Sequence, residues 1–285
     1  MEHLEIVNEQ KLMNIAAEIR RNVVKTVYHA GAGHLGGPMS ATDLLTALYF
    51  EVMNIDPKNP SWENRDRFVL SKGHSAIALY CTLAERGYFP KEELDTFDEI
   101  DSRLQAHPDM KLLPGLDMST GSLGQGISAA VGMALGAKLK GMPFRTYCMI
   151  GDGEAQEGQV WEAADVAAKY RLDNLTVILD YNRLQQYGWE GTEGRTREIP
   201  VFNPAARWEA FGFHVVSIDG HDFKQIIKAL HDAKQANGRP TIIVAHTVKG
   251  KGVSYMENNY LWHSKIPTDQ ELAVALSDLQ GGNAQ

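Results

Sequence analysis

Two short stretches put oxygen donors where a cation and an anion could share them. The apolar run Tyr147–Ile150 stops abruptly at Gly151-Asp152-Gly153, and a second apolar run stops at Asp180-Tyr181-Asn182. Asp152 offers a hard carboxylate oxygen and Asn182 an amide oxygen. If the two runs are neighbouring strands, both oxygens converge on one point. Mg²⁺ takes oxygen ligands near an octahedron and keeps phosphate oxygens in its shell. The glycines let backbone approach a phosphate closely, and a helix starting after the loop would turn free N–H groups toward the same anion. The pair therefore reads as a diphosphate–metal cradle. For Gly-Asp-Gly taken alone, an ordinary turn is the commoner explanation.

The elements that must carry these loops follow from periodicity. Leu12, Ile15, Ala16, Ile19, Val23 and Val27 recur at three- and four-residue steps and make one helical stripe. The glycine- and proline-rich GAGHLGGP at 31–38 breaks that helix, and a second is expected over 41–53. RFVLS reads as a strand, and SKGHSAIALYCTLAERGYF as a loop turning into a helix that ends at Gly87. After an irregular 101–120, helices are expected near 126–140, 155–170, 204–211 and 222–236, with strands at 145–150, 175–180, 213–218 and 241–246. This alternation predicts an α/β fold: a doubly wound, mostly parallel sheet with helices on both faces, one domain over 1–285. The tail at about 279–285 is expected to be disordered.

Composition removes other classes. The 285 residues hold 28 basic and 36 acidic side chains, a formal charge of -8, which argues against broad nucleic-acid binding. Arg20-Arg21, Lys249 and Lys251 read as solvated faces. No apolar run is long enough to span a bilayer, and MEHLEIVNEQ is unlike a signal peptide, so the expected setting is cytoplasmic. Cys81 and Cys148 lie in apolar segments and read as small core residues. No strand is followed by G-x-G-x-x-G at a helix start, as a nicotinamide-binding dehydrogenase would need.

Gly-Asp-Gly after one strand, with Asn182 after the next, resembles the thiamine diphosphate fingerprint. AGHLGGPMS, RFVLSKGHSAIALY, AHPD, STGSLGQGISAAVGMA and GDGEAQEGQVWEA follow in that order. Together they resemble the N-terminal half of a transketolase, over residues from about 20 to 265. The resemblance implies thiamine diphosphate with Mg²⁺ (or Ca²⁺ or Mn²⁺), held by Asp152, Asn182 and the carbonyl of Leu184, where the family usually has isoleucine. It implies His74 and the N–H of Gly153 at the diphosphate, and Gly121 and Leu123 along the cofactor rings. His34, His107 and His263 match three histidines at the substrate end that bind sugar hydroxyls and help to move protons, although MENNYLWHSK around His263 departs from the full-length enzymes' pattern. Lone histidines are more often satisfied core or surface groups, and His3, His29, His221 and His231 read that way. Two glutamates on a helix usually mark a solvated face; in the family, acids matching Glu157 and Glu162 lie at the subunit interface and are thought to pass protons between paired sites.

In that family the cofactor carries a two-carbon ketol unit from a ketose to an aldose, and protein groups position and tune it. The carboxylate that activates the cofactor, the aromatic residue stacked on its pyrimidine and the arginines that grip the sugar phosphate belong to a second domain. The expectation is therefore a two-chain transketolase of the α₂β₂ kind, completed by a C-terminal partner chain and acting on a small sugar or sugar phosphate, with no nucleic-acid or membrane partner. The rival expectations are the α chain of a split 2-oxoacid dehydrogenase, a deoxyxylulose-phosphate synthase, and a noncatalytic cofactor-binding half. SKGH, AHPD and TGSLGQG set the chain apart from the first, and the QEG of the Gly-Asp-Gly motif from the second.

Overall fold

The computed structural model describes residues 8–186, 203–235 and 238–280, with the backbone of 189–190 and 197–198. Helix α1 (Glu9–Ala30) opens where the Asn8 side chain accepts the Lys11 N–H at 3.0 Å, and it closes at Gly31, whose left-handed backbone ends the last turn. Its buried stripe is the one that periodicity marks: Leu12, Ala16, Ile19, Val23 and Val27. Helix α2 (Gly36–Ala47) runs into one π-type turn (Leu48–Val52). Strand β1 (Arg67–Leu70) leads through a 3₁₀ turn (Gly73–Ser75) to α3 (Ala76–Arg86), capped by left-handed Gly87. Then follow α4 (Gln125–Lys140), β2 (Thr146–Gly151), α5 (Gly158–Lys169) and β3 (Leu175–Tyr181). A two-residue antiparallel ribbon, β4 (Trp189–Glu190) with β5 (Arg197–Glu198), precedes α6 (Pro204–Ala210), β6 (His214–Asp219), α7 (Phe223–Gln235), β7 (Thr241–His246) and α8 (Asp269–Gln280).

The five long strands form one parallel sheet in the order β1-β2-β3-β7-β6. Successive side chains on a strand point to opposite faces, and here both faces are buried. Phe68, Leu70, Tyr147, Met149, Ile178, Ile243 and Ala245 join the core built with α1, α2, α3, α7 and α8. Their alternates Val69, Cys148, Ile150, Val177, Leu179, Ile242 and Val244 join a second core with α4, α5 and α6. The sheet is thus parallel with helices on both faces, as the alternation predicts, and both cysteines are core residues.

Three expectations are corrected. GAGHLGGP does not exclude helix throughout, because α2 begins at Gly36 and contains Gly37 and Pro38. A Cβ on Gly36 would meet the Lys249 side chain at 2.8 Å, so glycine is required there by close packing rather than by a turn. No helix starts at 155: a 3₁₀ turn (Glu154–Gln156) separates the Gly-Asp-Gly loop from α5, so the α5 N-terminus does not open directly onto the loop. The stretch expected to be disordered begins as the end of α8, where Leu279 is buried; residues 281–285 lie outside the described residues.

Candidate functional site

In open parallel sheets, ligands bind beyond the carboxyl ends of the strands. Neighbouring strands β2 and β3 pair with Gly151 opposite Asp180, which sets the two candidate loops side by side. The Asp152 carboxylate accepts the Gly153 N–H at 2.8 Å and the Arg183 N–H at 2.7 Å, tying one loop to the other. Arg183 has φ 64°, the left-handed region that non-glycine residues avoid. That tight turn separates Asn182 from Leu184, whose N–H donates to Asn182 Oδ1 at 3.2 Å. Asp152, Asn182 and Leu184 line one cavity of about 270 Å³ with Gly121, Leu123, Gly153, His34, His74 and His263.

Buried charged side chains gather at this end of the sheet. Asp180, at the end of β3, is paired with Lys72 of the SKGH loop and accepts hydrogen bonds from Ser40 and Thr247. Lys249, which follows β7, donates to the Leu184 carbonyl at 2.7 Å. Burial, with Asp180 next to it, pushes the Asp152 carboxyl up to about 6. Burial likewise drives the Lys249 ammonium down to about 8, against the pull of Asp152. The reading of Lys249 as a solvated face is therefore wrong: it is 3% exposed and part of the site. Arg20, read the same way, is buried in an ion pair with Asp43.

The three histidines expected at the substrate end converge, together with His74. The His34 ring lies 5.2 Å from His74, 5.0 Å from His263 and 6.5 Å from His107, and His74 lies 5.2 Å from His263. Burial, then Lys72, pushes His74 down to about 2; burial, then Lys249, pushes His263 down to about 3; burial, then His107, lowers His34. Rings held neutral in this way can both donate and accept hydrogen bonds, so each can donate to a carbonyl or phosphate oxygen and accept from a hydroxyl. His221, by contrast, is saturated: Nδ1 faces Asp43 at 2.6 Å and Nε2 accepts the Val248 N–H at 2.9 Å. His3 lies outside the described residues.

Gly121 sits against His107, whose ring a Cβ would meet at 3.0 Å. Gly73 lies under the same loop, where a Cβ would come within 2.6 Å of the Gly121 nitrogen. Glu154, just past the Gly-Asp-Gly triplet, is 2% exposed and hydrogen-bonded to three loops. Glu157 and Glu162 are both exposed, Glu157 as the N-cap of α5 and Glu162 within that helix.

A diphosphate held through a divalent cation fits these residues. Among the described residues no three His, Cys, Asp or Glu side chains are grouped to hold a metal, which leaves one carboxylate, one amide and one carbonyl as the hard oxygen set. Gly37 leaves an open cradle, where a Cβ would meet Ser75 Oγ at 3.1 Å and His74 Nε2 at 3.6 Å. Ser75 Oγ, Gln185 Oε1 and His263 Nδ1 are buried without a hydrogen-bond partner, as polar atoms awaiting a ligand would be. The Gly153 N–H, expected at the diphosphate, already donates to Asp152, so its anion contact would be shared. Sequence reasoning assigned no site role to Lys72, Asp180 or Glu154, and set Lys249 on a solvated face. All four lie at or just beyond carboxyl ends of strands, the one signal that could have found them.

Comparison with known proteins follows the same lines. Residues 11–279 match the family model described as transketolase, thiamine diphosphate binding domain. A 6-deoxy-6-sulfo-D-fructose transketolase subunit, SqwG, of Clostridium sp. (strain MSTE9) is 46% identical, the match covering 94% of this chain and 96% of that protein. An apulose-4-phosphate transketolase subunit of Phocaeicola vulgatus is 42% identical, over 91% of this chain and 90% of that one. The crystal structure of the Campylobacter jejuni transketolase superposes with a TM-score of 0.88 at 34% identity, covering 98% of this chain but 44% of that enzyme.

Proposed function

The chain belongs to the transketolase family through its thiamine diphosphate-binding domain, and on that premise we propose that it is the N-terminal subunit of a two-chain transketolase. It spans nearly the whole of two relatives named as subunits and less than half of a full-length enzyme. The observation that carries the proposal is a single cleft at the carboxyl edge of the sheet. Hard oxygens from Asp152, Asn182 and Leu184 line it together with the histidines His34, His74 and His263.

In this reading Asp152, Asn182 and the Leu184 carbonyl hold Mg²⁺, and His74, Gly153 and Lys249 face the diphosphate. Gly121 and Leu123 line the rings. Thiamine diphosphate, when bound, supplies the carbanion chemistry that a two-carbon ketol transfer requires. The protein's own part is positional and protonic. His34, His107 and His263 hold the donor's hydroxyls and carbonyl oxygen and help to pass their protons; His34 and His263, which burial keeps neutral, can accept as well as donate a hydrogen bond there. The walls of the cleft keep water from the reacting carbon.

The donor in this reading is a ketose with an anion at its far end. The two relatives are named for a sulfonated and a phosphorylated ketose. The groups that read that anion belong to the C-terminal partner, as does the carboxylate that activates the cofactor. Two copies of each chain related by a two-fold axis would preserve the family's paired sites. Glu157 and Glu162 then face the second copy, and exposed Leu139, Val166 and Tyr170 on and beside α4 and α5 are covered with them. Among the described residues no helix is long and apolar enough to cross a membrane. The same reading makes the protein a cytoplasmic enzyme of sugar metabolism, as in the pentose phosphate reactions.

The test is reconstitution. The purified chain, saturated with thiamine diphosphate and Mg²⁺, is expected to show no transfer over a panel of phosphorylated and sulfonated ketoses. Activity appears when a C-terminal transketolase chain is co-purified, with a mass by light scattering of two copies of each. Robust turnover by this chain alone sinks the two-chain reading.

A further inference from the structure

We propose that Glu154 is a positioning residue that locks three cofactor-facing loops into one register, and so sets cofactor affinity without touching the reacting atoms. The proposal rests on the thiamine diphosphate site argued above. Glu154 lies one residue beyond the Gly-Asp-Gly triplet, and its carboxylate accepts from three loops. Oε1 takes the Ser71 hydroxyl in a short hydrogen bond and the Gly124 N–H at 2.8 Å, and Oε2 takes the Gly151 N–H at 3.1 Å. Ser71 belongs to the loop of His74, Gly124 to the loop of Gly121 and Leu123, and Gly151 to the loop of Asp152 and Gly153. Each of these loops lines the candidate cleft.

Two further features show that the three loops are fitted closely at this point. A Cβ on Gly73 would come within 2.6 Å of the Gly121 nitrogen, and one on Gly126 within 2.6 Å of Ser71 Oγ. The SKGH loop therefore packs closely on the TGSLGQG loop, Gly73 backbone against Gly121 backbone, and Thr120 ties the second loop to the Leu70 carbonyl at 2.7 Å. Glu154 bonds to both and to the Gly-Asp-Gly loop as well. Gly124 is also the left-handed N-cap of α4, so the carboxylate occupies the position where a helix favours negative charge. All three partners are donors, which a carboxylate can serve at once and an amide cannot: glutamine would turn an NH₂ toward an N–H or a hydroxyl.

The test is Glu154→Gln, which keeps the side-chain volume. Asp165→Asn, an exposed residue on α5 outside the site, serves as the control. The complex with the C-terminal chain is titrated calorimetrically with thiamine diphosphate and Mg²⁺, and amide hydrogen exchange is followed at Gly124 and Gly151. Groups that orient ligand-holding residues typically account for about 10–100-fold in affinity. The expected result is a loss of cofactor affinity in that range and faster exchange at both amides. At saturating cofactor, kcat stays near wild type, so the defect lies in binding and not in turnover. Melting temperature is recorded for both variants. Affinity within twofold of wild type overturns the proposal, and so does a loss of affinity with unchanged exchange at the two glycines. Failure of the wild-type complex to bind thiamine diphosphate sinks the site assignment itself, and the positioning claim with it.

Discussion

Helix α2 borders two groups of buried charge that are completed in different ways. Asp43 takes two N–H groups of Arg20 at 2.9 and 2.7 Å, and His221 Nδ1 lies at 2.6 Å. The other Arg20 donors reach the Met39 carbonyl, and the far nitrogen of His221 accepts a backbone N–H. One turn earlier, Ser40 reaches into the cleft group, where Asp152, Asp180, Lys72 and Lys249 crowd against neutral histidines. Burial would raise Asp43 too, but Arg20 and His221 outweigh it and hold that carboxyl at about 2, whereas Asp152 is left at about 6. The first group is satisfied from within the chain and serves the fold. The second is short of positive charge at Asp152 and holds orphaned polar atoms at its margin, the condition of a site finished by its ligand.

The widest separation between the two groups is expected from Asp152→Ala. It should abolish tight binding of thiamine diphosphate with Mg²⁺, read by calorimetry on the assembled enzyme, and leave the fold intact. Unchanged affinity would remove Asp152 from the metal. Next come His34→Ala and His107→Ala, each expected to lower turnover or kcat/KM by about 10²–10⁴-fold with near-normal cofactor affinity. Loss of the cofactor from a folded variant would move that histidine to the other end of the site.

Asp43→Ala should show the opposite profile. Leaving Arg20 buried and unpaired costs about 3–5 kcal/mol in urea unfolding, with cofactor affinity near wild type once folded. The pH dependence sharpens this. Because the folded-state value of Asp43 lies at about 2, below the ordinary 3.8, its contribution is fully present above 3.8 and lost as pH falls through about 2. The stability gap between wild type and Asp43→Asn should therefore shrink between those pH values, and a gap constant with pH would mean that the pair carries no differential charge. Smallest is Arg183→Gly. It relieves a left-handed residue in the site loop and should stabilise by up to about 1 kcal/mol; a destabilised variant would show that the Arg183 side chain holds the turn.

Legibility in the sequence followed the same division. The strands and most helices were readable because both faces of the sheet are filled by alternating apolar side chains; Asp152, His34 and His74 stand in loops set off by glycine, and Asn182 ends the next apolar run, whereas His107 and His263 carry no such local signal. Lys249 was not readable: a lysine between valine and glycine looks solvated, and only the fold brings Leu184 and Asp152 to it. The start of α2 was missed because Gly36 and Gly37 weigh against helix locally, while close approach to Lys249 and Ser75 demands them. Helix α8 lacks a strong apolar stripe, burying Ala275 and Leu279 of its twelve residues. The saturated state of Glu154 depends on two loops distant in sequence, those of Ser71 and Gly124, besides its own.

The strand order bears on how the chain acquires this shape. Among the described residues strand β6 pairs only with β7, and β7 is inserted between β3 and β6 although it is the last strand of the sheet to be made. During synthesis β6 must wait unpaired until residues 241–246 have emerged. Only then can the sheet close and the loop bearing Lys249 meet the loops of Asp152 and Asn182. Long-range parallel pairing of this kind is slow and leaves strand edges open in the interim. A ribosome pausing before β7 would hold a chain with its first strands in place, its fourth strand adrift and its ligand cleft missing a wall, the form most exposed to aggregation and most dependent on chaperones.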